Sequence, residues 1–345
     1  MLGGSKARVL ITGGAGFFGS HLAEALLKQG HQVFILDDLS TGSIENIRDL
    51  RAFPGLQYWI DSVKNRPLLA ELVDECDVII HMAAAVGVRL IVESPVHTIE
   101  TNVNGTELVL QAASKKKKLV FVASTSEVYG KSARVPFHED DDLVLGATTK
   151  GRWSYAASKA LDEFLALAYW KEKKLPVIIG RFFNIVGPRQ SGRYGMVLPS
   201  FVSQAMANAD VTVFGTGQQS RCFCHVGDAV EAVLKLLETP ESVGEIFNIG
   251  SNQEITIENL ARSVVTRLNS KSAICHIPYE KAYEDGFEDM LRRVPSLDKL
   301  VSLTGWHPTI PLDTCIDQVA GYFEKRASQF NVSSMSQKAS FAVGS

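Results

Sequence analysis

Several absences narrow the possibilities before any motif is considered. Only five cysteines occur, Cys76, Cys222, Cys224, Cys275 and Cys315, an odd and scattered set. That argues against a disulfide scaffold and for reduced thiols. Cys222 and Cys224 alternate in an apparent strand, with no second Cys/His pair at ligand spacing, so no metal site is expected. No apolar run approaches the ~20 residues needed to cross a bilayer. The start, Met1-Leu-Gly-Gly-Ser-Lys6, leads straight into an apolar strand and leaves no room for a secretion signal. A cytoplasmic chain with no membrane partner is expected. The net charge is only −3, which makes no electrostatic case for nucleic acid. The rest is ordinary for a globular protein, with 46% hydrophobic and 21% charged residues.

The most informative stretch lies near the start. Val9, Leu10 and Ile11 form a short apolar run, as a buried parallel strand does. Gly13, Gly16 and Gly19 follow at three-residue spacing, and then Leu22, Ala23, Leu26 and Leu27 recur at helical spacing. Strand, glycine-rich turn and helix in that order make a pyrophosphate site, because the uncovered N–H groups of a helix start attract an anion. A second apolar run, Val33-Phe-Ile-Leu36, ends in Asp37-Asp38. Asp37 falls about twenty residues beyond the turn, where a carboxylate for an adenosine ribose belongs. Such an aspartate favours NAD over NADP, since it repels a 2′-phosphate.

The first half of the chain alternates strands and helices. Strands are expected at 56–60, 78–82, 119–123 and 177–183, and helices at 66–75, 95–113 and 153–169. The fourth strand runs into Ala83-Ala-Ala85, where small side chains let a flat ligand lie against the backbone. From Gly187 the rhythm loosens, with helices expected at 196–206, 227–238, 257–268 and 313–326 and strands at 211–214, 221–226 and 246–250. The fold class is therefore α/β, a Rossmann-type doubly wound parallel sheet with a smaller C-terminal lobe for the substrate. The expected division is 1–185 for the cofactor domain, with later segments interleaved, and 186–326 for the lobe. Residues 327–345 lack periodicity and read as a disordered tail.

Tyr155 and Lys159 stand four positions apart and share a helix face. An ammonium beside a phenol favours the phenolate and lowers its pKa, making a general base usable near neutral pH. By itself this pair also fits an ordinary solvent-facing helix. With the dinucleotide turn, and Ser124-Thr125 at a strand end, it reads as catalysis in which a base takes an alcohol proton while the carbon gives up a hydride.

Thr12-Gly13-x-x-Gly16-x-x-Gly19 together with Tyr155-x-x-x-Lys159 resembles an extended short-chain dehydrogenase/reductase. The segments 37–42, 125–130 and 183–190, with Gly250, resemble the nucleotide-sugar epimerases, dehydratases and decarboxylases within it. The resemblance spans residues 7–325. It implies catalysis by Tyr155, Lys159 and Thr125. It implies NAD held by Gly13, Gly16, Phe17, Phe18, Gly19, Asp37, Asp38, Ser40, Thr41, Gly42, Asp61 and Ser62, and by Ala83, Ala84, Ala85, Asn102, Ser124, Tyr155 and Lys159. It also implies a UDP-sugar contacted by Ser126, Glu127 and Val197. Asn184, Arg221 and Arg293 match positions that hold the diphosphate. Arg193, in a loop expected at the pyranose, is a candidate partner for a sugar carboxylate. A homodimer through the helices at 95–113 and 153–169 is implied as well.

Within this group the motifs point two ways. Ser126 replaces the aspartate of dehydratases. Ser126-Glu127 and the segment 284–295 resemble decarboxylases of uronic acids. Tyr155-Ala-Ala-Ser-Lys159 and Tyr194-Gly-Met196 depart from the UDP-xylose-forming type, and Gly187-Pro-Arg-Gln190 is closer to 4-epimerases. The expectation is a UDP-sugar 4-epimerase, an isomerase working on UDP-glucuronate and UDP-galacturonate. The alternative is a UDP-glucuronate decarboxylase, and a non-catalytic NAD-sensing protein is a third reading that retention of Tyr155, Lys159 and Thr125 disfavours.

Overall fold

The computed structural model describes residues 2–3, 6–87, 94–192, 196–282 and 290–341. β1 (Arg8–Thr12) leads into α1 (Phe17–Lys28), β2 (Gln32–Asp37), β3 (Leu56–Ile60), α2 (Arg66–Glu75) and β4 (Val78–His81). After these come α3 (Pro95–Ser114), β5 (Leu119–Thr125), α4 (Trp153–Lys173) and β6 (Val177–Phe182). The following elements are shorter: β7 (Ile185–Val186), α5 (Val197–Met206), β8 (Val211–Phe214), β9 (Ser220–Cys222), β10 (Cys224–His225) and α6 (Val226–Glu238). β11 (Ile246–Ile249), β12 (Glu254–Thr256), α7 (Ile257–Arg267), β13 (Ile274–Ile277) and α8 (Tyr279–Ala282) precede β14 (Arg292–Arg293), α9 (Asp298–Thr304) and α10 (Leu312–Phe341).

The main sheet has seven strands in the order β11-β6-β5-β4-β1-β2-β3, all pairs parallel. Its central strands are buried on both faces, which is why they read as unbroken apolar runs. Val9 and Ile11 pack into the layer containing α1 and α6, while Leu10 between them packs into the layer of α2, α3 and α4. Phe121 and Val122 divide in the same way. This alternation is the two-residue period of a strand. Local signals set the helix starts. The Asn65 side chain accepts the Leu68 N–H at 3.3 Å ahead of α2, which carries Pro67 in its first turn.

A separate core joins α5, α7 and α10 around Leu198, Phe201, Leu260, Ile316 and Val319. The chain order reverses between β1 and β4, and their C-terminal ends open a crevice there, the position where doubly wound sheets take ligands. Two expectations differ from the structure. The strand expected over 221–226 is two strands that meet at Phe223, β9 pairing with β12 and β14 and β10 with β7. The last helix continues past Arg326 to Phe341, where a disordered tail was expected. No helix among the described residues is long and apolar enough to cross a membrane.

Candidate active site

A cleft of about 1640 Å³ runs from the glycine-rich turn to α5 and β9. Its floor is set by the turn itself. Gly13 has φ of +72°, and a Cβ there meets the Ala83 backbone nitrogen at 2.7 Å. A Cβ on Gly19 meets the Gly13 carbonyl oxygen at 2.3 Å, so only glycine lets α1 start so close to β1. Gly16 caps α1 without a side-chain hydrogen bond, and Gly16, Phe17, Phe18 and Gly19 at the helix start line the cleft. Asp37 ends β2 and is held from both sides, with Ala15 N–H donating to Oδ2 at 2.9 Å and Leu39 N–H to Oδ1 at 2.8 Å. Burial pushes this carboxyl up, and the two N–H groups pull it back. A crowded turn, an uncapped helix start and a fixed carboxylate fit the pyrophosphate and ribose of NAD, which is the cofactor of this chain.

The residues expected at that cofactor fall into three groups. Gly13, Gly16, Phe17, Phe18, Gly19, Asp37, Asp38, Ser40, Thr41, Gly42, Asp61, Ser62, Ala83 and Ala84 line the cleft. Ser124 also lines it, but its hydroxyl is engaged by the Glu163 carboxylate, which Arg181 grips through paired contacts. Ala85 and Asn102 do not line it. Asn102 is fully buried, accepts the Ala85 N–H at 2.9 Å and donates to Ser158 Oγ at 3.1 Å. It braces the cleft wall from behind, because its amide must satisfy backbone and hydroxyl groups that have no access to water.

The reacting end of the cleft is built where β5 stops. Thr125, Ser126 and Glu127 come from that strand end and the turn after it, and Tyr155 and Lys159 from α4. Arg293 comes from β14, and Arg152 from the residue ahead of α4. The Arg293 guanidinium donates to Ser126 Oγ at 3.5 Å and lies 3.4 Å from Glu127 Oε1. Arg152 approaches the other Glu127 oxygen at 3.8 Å. Both arginines are 7% exposed, so two guanidiniums bracket one carboxylate in a wall nearly closed to solvent. Arg293 therefore stands beside Ser126 and Glu127 in the cleft wall. Arg221 is its partner across the β9–β14 pair, and it donates to the Ser220 and Met290 carbonyls at 2.8 Å each. Asn184 donates to the Cys222 carbonyl, and Asn184, Arg221 and Val197 all line the cleft. Arg193 lies outside the described residues, as does the 284–289 part of the decarboxylase-like segment.

Burial works against the expected low-pKa phenol. Lys159 Nζ lies 2.7 Å from Asp162 Oδ2, and both side chains are buried. Burial pushes the Tyr155 phenol well above the ordinary tyrosine range, and the Glu127 charge pushes it the same way. A hydrogen bond from Thr125 and the Arg293 charge oppose that rise. Taking the phenol out of water disfavours its anion more than the nearby cations favour it. Sequence reasoning passed over Arg152 and Asp162. Both lay at readable helix spacings, Arg152 three residues before Tyr155 and Asp162 three after Lys159. Among the described residues no cluster of three or more acidic, His or Cys side chains is placed to hold a metal.

Comparison with known proteins gives three findings. The family model described as "NAD dependent epimerase/dehydratase family" matches residues 9–250. The UDP-N-acetyl-alpha-D-glucosaminuronate decarboxylase of Bacillus cytotoxicus is 44% identical, over 93% of this chain and 98% of that protein. UDP-glucuronic acid decarboxylase 1 of Xenopus tropicalis is 31% identical over 93% of this chain and 73% of that one. Among solved structures, the UDP-glucuronic acid 4-epimerase of Bacillus cereus, in complex with UDP-glucuronic acid and NAD, superposes with a TM-score of 0.82 at 25% identity, covering 92% of this chain and 99% of that one. The two decarboxylases, similar over most of this chain, overturn the expectation of a 4-epimerase and of an isomerase. In the 187–190 motif behind that expectation, Arg189 pairs with Glu24 on α1, and Arg189 and Gln190 line the cleft.

Proposed function

The chain belongs to the NAD dependent epimerase/dehydratase family, and from that premise we propose that it removes the carboxylate of a UDP-activated uronic acid. The 2-acetamido sugar named for its Bacillus cytotoxicus relative is the first candidate substrate and UDP-glucuronate the second. The full-length likeness to that decarboxylase carries the reading, and the chemistry of the site agrees with it.

When bound, NAD supplies a reversible acceptor for the hydride on C4 of the sugar. Tyr155 carries the proton to and from O4, and Thr125 lies beside it to hold the same oxygen. Once C4 is a ketone, the C5 carboxylate is β to a carbonyl. The C5–C6 bond breaks, its electron pair moves toward O4, carbon dioxide leaves and C5 takes a proton. Negative charge then gathers on O4, where the Tyr155 phenol, having taken up the O4 proton in the oxidation, is the suitable donor. In this reading Arg152 and Arg293, which both approach Glu127, orient the substrate carboxylate. Glu127 already shares both guanidiniums, so the departing carboxylate is held without being fully neutralised. A full ion pair would oppose its loss as neutral carbon dioxide.

The test is incubation with NAD and each of the two uronates, followed by mass and NMR analysis. The expected product has lost one carbon dioxide and retains UDP. A product of unchanged mass overturns the reading.

We further propose a homodimer through α3 and α4. Val96, Ile99, Leu161 and Phe164 are large apolar side chains at the surface of these two packed helices, with Val96 68% and Phe164 67% exposed. The nucleotide end of the substrate belongs to the smaller body, where Leu198, Phe214, Arg221 and Tyr279 line the far part of the cleft.

A further inference from the structure

Asn248 lies near the end of β11 and is fully buried, at 0% exposed. Every polar group of its side chain is committed. Oδ1 accepts the Tyr129 hydroxyl at 2.8 Å. Nδ2 donates to the Phe137 carbonyl at 3.0 Å and to the Ser296 carbonyl at 3.2 Å. The backbone N–H donates to Glu139 Oε1 at 2.8 Å. Two carbonyls on one side fix which way the amide points, because the reversed amide sets an oxygen against both. One residue thus joins the turn after β5, the loop at 137–139 and the stretch just past β14, all remote from one another in the chain.

These segments also hold each other. Phe137 N–H donates to the Val294 carbonyl, and Ser296 N–H donates to the Phe137 carbonyl, both at 2.8 Å. The Phe137 ring stacks on Tyr129 with centroids 4.6 Å apart. Tyr129 closes the turn that carries Ser126 and Glu127, the two residues Arg293 touches. The contacts form a circuit. It runs from the Arg293 side chain to that turn, from Tyr129 to Asn248, from Asn248 to Ser296, and three residues back to Arg293. β14 is only two residues long and pairs Arg293 with Arg221, so its own ladder constrains Arg293 weakly. Tyr129, Phe137, Phe183 and Met290 pack around the circuit, and a hydrogen bond lost there is not replaced by solvent.

We propose that Asn248 is a positioning residue: by gripping Tyr129 and Ser296 together it fixes the main chain behind Arg293, and so sets that guanidinium against Ser126 and Glu127 at the reacting end of the cleft. Asn248 does not line the cleft, so it acts on a ligand only through Arg293.

The inference rests on Arg293 holding the substrate carboxylate in the proposed reaction, and the experiment separates the two. Hydrogen exchange of the NAD-loaded protein is followed by mass spectrometry, with peptides over 290–297 compared against peptides from β1–α1 and from α4. Asn248→Ala leaves the Tyr129 hydroxyl and the Phe137 and Ser296 carbonyls without their partner. Exchange over 290–297 is expected to quicken by about 10-fold while the reference peptides keep the parent rate. No change over 290–297, or an equal change in every peptide, overturns the proposal. Should the alanine variant not fold, Tyr129→Phe removes one hydroxyl from the same node and keeps the ring on Phe137. It is expected to quicken the same peptides by about 3-fold, and parent exchange there overturns the proposal. The second measurement is ligand affinity in the Tyr155→Phe background, where turnover is expected to be slow. Asn248→Ala is expected to weaken UDP-glucuronate by about 10-fold and to leave UDP at parent affinity, as Arg293→Ala does. Equal weakening of both ligands marks general damage and overturns the proposal. So does an Asn248→Ala protein that binds UDP-glucuronate like the parent when Arg293→Ala does not. If Arg293→Ala itself binds UDP-glucuronate like the parent, the carboxylate reading fails, and the exchange measurement alone decides the role of Asn248.

Discussion

At the scale of single residues, the proposed reaction depends on one buried hydroxyl. Tyr155 lies in the cleft wall with Thr125 beside it, and burial disfavours its anion. Replacing it with phenylalanine removes the oxygen and keeps the ring in its packing. Tyr155→Phe is expected to lower turnover by about 10²–10⁴-fold while NAD stays bound, read by product formation and by the absorbance of the released cofactor. Near-parent turnover would remove Tyr155 from the mechanism. The Tyr/Lys pair was legible in the sequence because four-residue spacing on a helix is a local property. The state of the pair was not. The sequence predicts a depressed phenol, whereas desolvation and Glu127 raise it, and both depend on which residues close over it.

At the scale of elements, the glycine turn and the strand beside it fix the cofactor end. Gly19→Ala drives a methyl into the Gly13 carbonyl, a backbone atom that cannot step aside. The expected result is loss of bound NAD together with destabilisation of about 1–3 kcal/mol, measured by cofactor content and thermal unfolding. An alanine variant with parent NAD content would show that the turn is not under that constraint.

His81 ties three elements together. Its Nδ1 meets Thr12 Oγ1 at the end of β1 at 2.7 Å, and its Nε2 meets Thr106 Oγ1 on α3 at 3.2 Å. Burial pushes the ring from 6.5 down to about 3. The folded value lies below the unfolded one, so between those two pH values the unfolded chain binds the extra proton. Stability is therefore expected to fall as pH drops from 6.5 toward 3, by an amount on the order of 4 kcal/mol in total from this group. Histidine NMR should show a neutral His81 ring at pH 5, and a ring that titrates near 6.5 would contradict this.

At the scale of the whole molecule, the apolar side chains Val96, Ile99, Leu161 and Phe164 of α3 and α4 are left exposed by the described residues. Phe164→Glu is expected to shift the protein from dimer to monomer in light scattering, with the fold intact by circular dichroism. A parent protein that is already monomeric at micromolar concentration would sink the dimer. The α/β class, the order of strand and helix through residue 182, the NAD turn and the shared helix face of Tyr155 and Lys159 were all determined by the sequence alone. Each rests on a local period, a glycine spacing or a run of apolar residues, and such patterns fold the same way wherever they occur. The reaction was not determined that way. Arg152, Glu127 and Arg293 are far apart in the chain, and only tertiary packing brings two guanidiniums onto one carboxylate at the mouth of β5. The same holds for Asn102, which packing turns inward to brace the wall, and for Asp162, which burial forces onto Lys159. Spacing along a chain sets which side chains share a helix face. Which charges lose their water, and which partner each must then take, is decided only when separate elements close over them.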